Sequence, residues 1–143
     1  MRLYIDNCCY NLPFDDKSQS RIHSEALAVL DILLRSKVNK DIIIGSKILS
    51  MEIDNIKNES LKSEVRTLYN QAIDEKIDLN AEVIEHAKEL MQKANIKQMD
   101  ALHLSCALSG NADIFLTVDD RLIKACDKLV LKMRVMNPIN MRR

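Results

Sequence analysis

Residues 99–123 read MDALHLSCALSGNADIFLTVDDRLI, and this stretch sets the architecture. Ala101, Leu102, Leu104, Cys106, Ala107 and Leu108 make its first part apolar nearly all round, which predicts a buried helix over about Lys97–Ser109. Gly110 stands where a residue in the left-handed conformation belongs after a helix. Asp113–Thr117 then reads as a short apolar strand, and Asp119–Lys128 as a short helix.

The same alternation continues outward in both directions. Arg2–Asp6 reads as a strand, and Pro13 with Asp15–Asp16 marks a loop. Ile22, Ala26, Val29, Leu30, Leu33 and Leu34 follow the helical period from about Ser20 to Lys37. Asp41–Ile44 is a β-branched strand that Gly45 is expected to end, with Ser46 capping a helix to about Ile56. A further helix spans about Asn58–Asp74, and Lys76–Leu79 forms a weak strand. Asn80 caps a helix whose stripe is Val83, Ile84, Ala87, Leu90 and Met91, and Lys132–Met136 is a last strand before Pro138. Strands separated by helices predict an α/β sandwich with a parallel central sheet, because parallel neighbours need long crossovers. With no repeat or linker, residues 1–143 are expected to form a single domain. In such folds sites gather beyond the carboxyl ends of the strands, where strand order switches direction.

Composition removes several function classes. Two glycines in the whole chain exclude a dinucleotide fingerprint and a phosphate-binding P-loop. Aromatic residues make up 3%, too few for a base-stacking platform. Basic and acidic residues balance at 21 each, which excludes a globally basic nucleic-acid binder. A local basic group remains in Lys124, Lys128, Lys132, Arg134, Arg142 and Arg143, readable also as a solvated helix face and tail. Cys8, Cys9, Cys106 and Cys126 form no C-x-x-C pair, and adjacent Cys8 and Cys9 are poorly placed for a disulfide. With no signal-peptide pattern and no long apolar run, the expected location is the cytoplasm, away from membranes.

Four carboxylates occupy positions that a soluble α/β protein does not ordinarily give to charge. Asp6 ends the first strand. Glu52 shares a helix face with apolar Ile48, Leu49 and Ile56. Asp100 opens the buried helix and shares a face with His103. Asp119 follows the strand Asp113–Thr117, with Asp120 beside it. Each has an ordinary structural explanation: a turn residue for Asp6, a rim salt bridge for Glu52, the helix dipole for Asp100, and an N-cap for one of Asp119 and Asp120. His103 is most simply a satisfied core histidine. Together, however, the acids converge from two strand ends and two inward helix positions. A pair of like charges at about 4 Å costs roughly 4 kcal/mol at an effective dielectric near 20. A divalent cation relieves that repulsion, and an all-oxygen set points to Mg²⁺ or Mn²⁺ rather than zinc.

Arranged in this order, YIDNCCYNLPFDD, the inward Glu52, MDALHLSCAL and ADIFLTVDDRLI resemble the PIN domain family, which includes VapC-type toxins and related metal-dependent ribonucleases. The resemblance spans essentially the whole chain. It implies a three-layer fold with a five-stranded, mainly parallel sheet, Mg²⁺ or Mn²⁺ as cofactor, RNA as substrate, frequent homodimers and a small antitoxin as partner. It carries the catalytic and metal-binding acids over to Asp6, Glu52, Asp100 and Asp119. Asp6, Asp100 and Asp119 are then direct or water-mediated ligands, and Glu52 binds a second ion or orients the attacking water. Thr117 and Asn7 are expected to hydrogen-bond carboxylates or waters around them. Asn7 replaces the Ser or Thr often found beside the first acid, His103 stands where the family is commonly aliphatic, and Asp120 matches no family position.

Two other classes of strand-ending aspartate fit less well. A haloacid-dehalogenase-type phosphatase needs a second Asp two residues after the first, where this chain has Cys8, and a response-regulator receiver needs paired acids near its N-terminus. The alternative from a different class is a non-catalytic PIN-like module that binds RNA or a protein. Loss of one or more of the acids is its signature, and all four are present.

Overall fold

Five short strands, β1 (Arg2–Ile5), β2 (Ile42–Ser46), β3 (Glu75–Ile77), β4 (Ile114–Leu116) and β5 (Arg134–Met136), build one sheet in the order β3-β2-β1-β4-β5. Every neighbouring pair is parallel. The computed structural model describes residues 1–16 and 18–141; Arg142 and Arg143 of the expected basic group lie outside the described residues. The helices are α1 (Asn7–Asn11), α2 (Ser20–Asn39), α3 (Lys47–Asp54), α4 (Glu59–Ala72), α5 (Ala81–Lys93), α6 (Gln98–Ser109) and α7 (Asp120–Cys126). Leu3, Tyr4 and Ile5 on β1 and Ile114, Phe115 and Leu116 on β4 are all buried. Consecutive buried residues mean that both faces of the sheet are covered, as the βαβ pattern of the sequence requires.

The chain runs outward from β1 through β2 to β3, then returns to place β4 on the other side of β1. The switch point is therefore the crevice between β1 and β4, where Tyr4 pairs with Phe115 and Ile5 with Leu116. Asp6 and Thr117 are the next residue on each strand, so register alone brings them together.

Helix α6 is as buried as its composition predicts, with Ala101, His103, Leu104, Ser105, Cys106 and Ala107 all inside. It packs along α5, and Ser105 Oγ donates to the Val83 carbonyl oxygen at 2.6 Å. Asn58, Asn80 and Ser46 each accept a main-chain N–H in the first turn of the helix that follows, so these sequence caps work as read.

Four local expectations are corrected. A short helix, α1, begins directly after β1 because the Asp6 side chain caps it, accepting from the Asn7 amide at 2.8 Å. Gly45 does not end β2 but lies within it; a Cβ there would come within 2.5 Å of Tyr69 Oη. Gly110 has φ −83, and the left-handed residue after α6 is Asn111 at φ 56. Gly110 is needed for space instead, since a Cβ would meet Ile44 and Ile77 at 3.2 Å. On α2 the inward face is Glu25, Ala26, Val29, Ile32 and Ser36, whereas Leu34, assigned to the apolar face, is 74% exposed.

Candidate metal centre

Asp6 leaves the sheet at the switch point with little exposure and both carboxylate oxygens engaged. Oδ1 accepts from the Asn7 amide at 2.8 Å, and Oδ2 accepts from Thr117 Oγ1 at 2.9 Å. Thr117 is fully buried at the end of β4, and its hydroxyl also accepts from the Asp119 amide at 3.2 Å. One hydroxyl thus ties the first acid to the turn that carries the last. Asp119 caps α7, accepting from Arg121 N at 3.0 Å and Leu122 N at 3.3 Å. Asp120 turns away to Arg21, 2.8 Å distant, whose guanidinium holds the Asp120 carboxyl below the usual range.

Glu52 reaches the same place from α3, and α6 supplies His103 one turn after Asp100. His103 Nε2 is hydrogen-bonded to Glu52 Oε1 and lies 3.9 Å from Asp6 Oδ1. Asp6, Glu52 and His103 each present a ligand atom, all within 4.8 Å of one another. Asp100 and Asp119 are not part of this close set, yet their charges are felt. Burial, then Asp6, then Asp119 push the Asp100 carboxyl up to about 6, with Glu52 adding to the effect and His103 opposing it. Burial works against a charged His103, but the Glu52 hydrogen bond and the Asp6, Glu52 and Asp100 charges outweigh it and raise the imidazole pKa.

The structure therefore brings ligand atoms of Asp6, Glu52 and His103 within 4.8 Å of one another and keeps Asp100 and Asp119 within electrostatic reach. The candidate ligand atoms of the close set include an imidazole nitrogen beside the carboxylate oxygens. These residues fit a divalent cation: burial first, and then the charges of Asp6 and Asp119, drive the Asp100 carboxyl toward its neutral form, and a bound cation would offset both. Of the two expected supporting residues, Thr117 touches Asp6 directly, while Asn7 Oδ1 is buried without a hydrogen-bond partner among the described residues.

Sequence reasoning missed two buried polar features. One is the string Ser46–Tyr4–His103: Tyr4 Oη lies 2.7 Å from Ser46 Oγ and 2.6 Å from His103 Nδ1. A tyrosine in an otherwise apolar central strand, opposite a helix carrying a histidine, was the available signal. The other is Glu25, buried on α2, which accepts from Arg21 at 3.2 Å and from Asn137 at 2.5 Å. It fastens the segment after β5 to α2, and nothing in the local pattern marks it.

Comparison with known proteins identifies the family and supports the fold. The family profile of the PIN domain matches residues 12–128, and the chain belongs to that family. The match includes Glu52, Asp100 and Asp119 and begins after Asp6. Among solved structures the chain is similar to VapBC2 from Rickettsia felis bound to a DNA fragment from their promoter, at 18% identity and TM-score 0.62, covering 96% of this chain and 98% of that one. It is also similar to VapC20 of Mycobacterium tuberculosis, a sarcin–ricin loop cleaving toxin, at 11% identity and TM-score 0.61, covering 92% and 98%. At these identities the likeness is one of fold. No curated protein matches the chain. No helix among the described residues is long and apolar enough to cross a membrane.

Proposed function

We propose that this protein is a divalent-metal-dependent endoribonuclease that hydrolyses phosphodiester bonds in single-stranded or structured RNA, as the toxin of a toxin–antitoxin pair. The observation that carries the reading is the meeting of Asp6, Glu52 and His103 beside the β1–β4 switch point, their ligand atoms all within 4.8 Å of one another. Asp6, Asp100 and Asp119 are assigned as direct or water-mediated ligands of Mg²⁺ or Mn²⁺. Glu52 holds a second ion or orients the attacking water. When bound, the cation lowers the pKa of a ligated water and offsets charge developing on the phosphate. The protein's part is to fix the acids: Thr117 and the Asn7 amide hold Asp6, and the cap of α7 holds Asp119. Asn7 and Thr117 are assigned as supporting residues around the ligands, and nearby Lys and Arg bind phosphates without reading bases. The VapC20 neighbour, described as a sarcin–ricin loop cleaving toxin, supports the substrate class, and the VapBC2 neighbour supports an antitoxin partner.

A homodimer with a cytoplasmic location completes the reading. Leu27, Leu34 and Val38 are 55%, 74% and 82% exposed on the side of α2 opposite its buried face, with Leu30 between them. An antiparallel two-fold pairing centred between residues 32 and 33 sets Leu27 near Val38 and Leu30 near Leu34 of a second copy. Asp31 and Arg35, ion-paired with each other within α2 at 2.8 Å, flank this apolar face.

The test is cleavage of generic single-stranded RNA with Mg²⁺ or Mn²⁺. Wild type should cut, while EDTA and Asp100→Asn should each abolish cutting. RNA that remains intact with wild type and either metal would favour the alternative, a non-catalytic PIN-like module that binds RNA or protein.

A further inference from the structure

His103 is 1% exposed, and its two ring nitrogens keep different company. Nδ1 faces the protein interior, 2.6 Å from Tyr4 Oη. Tyr4 is fully buried, stacks on Phe115 with ring centroids 5.1 Å apart, and reaches Ser46 Oγ at 2.7 Å. Ser46 is itself fixed, because its Oγ accepts from Leu49 N at 3.1 Å at the start of the helix that carries Glu52. Nε2 faces the acids, in contact with Glu52 and 3.9 Å from Asp6.

One arrangement of these groups prepares the ring for a cation. With the Tyr4 hydroxyl donating to Ser46 Oγ, its oxygen accepts from Nδ1–H, and once Nε2 gives up the proton it shares with Glu52 its lone pair points at the carboxylates. Metal-ligating histidines are held in this way, with the second ring nitrogen donating to a protein acceptor. A structural core histidine has no need of two acids at one nitrogen and a buried hydroxyl string at the other.

We propose that His103 is a metal ligand, its Nε2 joining Asp6 and Glu52 around the cation, and that this nitrogen gives the centre a preference for Mn²⁺ over Mg²⁺. The inference rests on the metal-dependent reading above and names the ion which that reading leaves open. Imidazole suits transition metals, whereas Mg²⁺ keeps to oxygen donors and water. The cation takes the place of the hydrogen bond between Nε2 and Glu52. Tyr4 and Ser46 are positioning residues, acting through the ring orientation of His103.

Pulsed electron paramagnetic resonance of the Mn²⁺-loaded protein tests this. Wild type should show coupling to one directly bound nitrogen, which changes isotope signature when histidine is supplied with ¹⁵N. His103→Gln should lose that coupling, and its Mn²⁺-over-Mg²⁺ affinity ratio should fall by about ten-fold or more. Should His103→Gln fail to fold, the double variant His23→Gln/His86→Gln retains only His103 and should keep the nitrogen signal. Bound Mn²⁺ with no nitrogen coupling, or a coupling that survives in His103→Gln, overturns the assignment and leaves the acidic metal centre standing. Wild type that takes up no Mn²⁺ overturns both.

Discussion

Thr117 Oγ1 donates to Asp6 Oδ2 across 2.9 Å, joining the ends of two parallel strands that lie 111 residues apart in sequence. The bond exists because Ile5 pairs with Leu116, so the next residue on each strand meets its counterpart. The same hydroxyl accepts the Asp119 amide, so its loss frees both ends of the acidic site.

Thr117→Val keeps the shape and removes the hydroxyl. Stability should fall by about 1–3 kcal/mol, since the buried Asp6 carboxylate loses a partner. Mn²⁺ affinity should weaken about 10–100-fold, because the acid is no longer aimed. Urea denaturation and calorimetric titration read the two effects, and an unchanged affinity would refute the orienting role.

Neutralising different acids should have opposite effects in EDTA. Asp100→Asn removes a charge from a repulsive group, and its carboxylate has no hydrogen-bond partner among the described residues, so the melting temperature should hold or rise. Asp6→Asn removes a charge too, but it disturbs both the α1 cap and the Thr117 bond, so the melting temperature should drop. Adding Mn²⁺ should raise the wild-type melting temperature and raise that of each variant less. Equal stabilisation of all three proteins by Mn²⁺ would exclude a shared centre.

The buried thiols give a pH dependence with a definite sign. Burial pushes Cys106 and Cys126 up to about 11, whereas an unfolded cysteine titrates near 8.5. Between these values the unfolded chain has released protons that the native state retains, so stability falls as pH rises through that window. Denaturation midpoints at pH 8 and pH 10 measure it, and Cys126→Ala should flatten the decline. Midpoints independent of pH in wild type would contradict native thiols that stay protonated.

Leu34→Glu, on the exposed face of α2, should convert a dimer to a monomer with little change in monomer stability, because Leu34 is 74% exposed. Light scattering after size exclusion reads the mass. A wild-type monomer at micromolar concentration, or a dimer unaffected by Leu34→Glu, would rule out this face.

The alternation of strands and helices was legible because each crossover is long enough to carry its own apolar period. The caps at Ser46, Asn58 and Asn80 were legible because they act within one turn. The convergence of the acids could be inferred only from strand order, since nothing local to Asp6 refers to residue 119. His103 sat in plain view beside Asp100, but a single buried histidine is more often structural, and its partner Tyr4 lies in a different element. Glycines misled for one reason: Gly45 and Gly110 are required by close neighbours in space, Tyr69 in one case and Ile44 and Ile77 in the other, which no turn rule anticipates. The apolar stripe expected on α2 took in Leu34 and passed over Ile32, and only the docked helix shows that Ile32 lies on the inner row and Leu34 on the outer.

The strand order has a consequence for synthesis. β4 is made after β1, β2 and β3, yet it belongs beside β1, so the flank of the first strand waits until most of the chain has left the ribosome. Until then Asp6 has no Thr117 to hold its carboxylate, although Glu52 is already made. The hydrogen bonds that fix Asp6 to the Asp119 turn therefore form only when the last strands arrive, however early the other acids are in place.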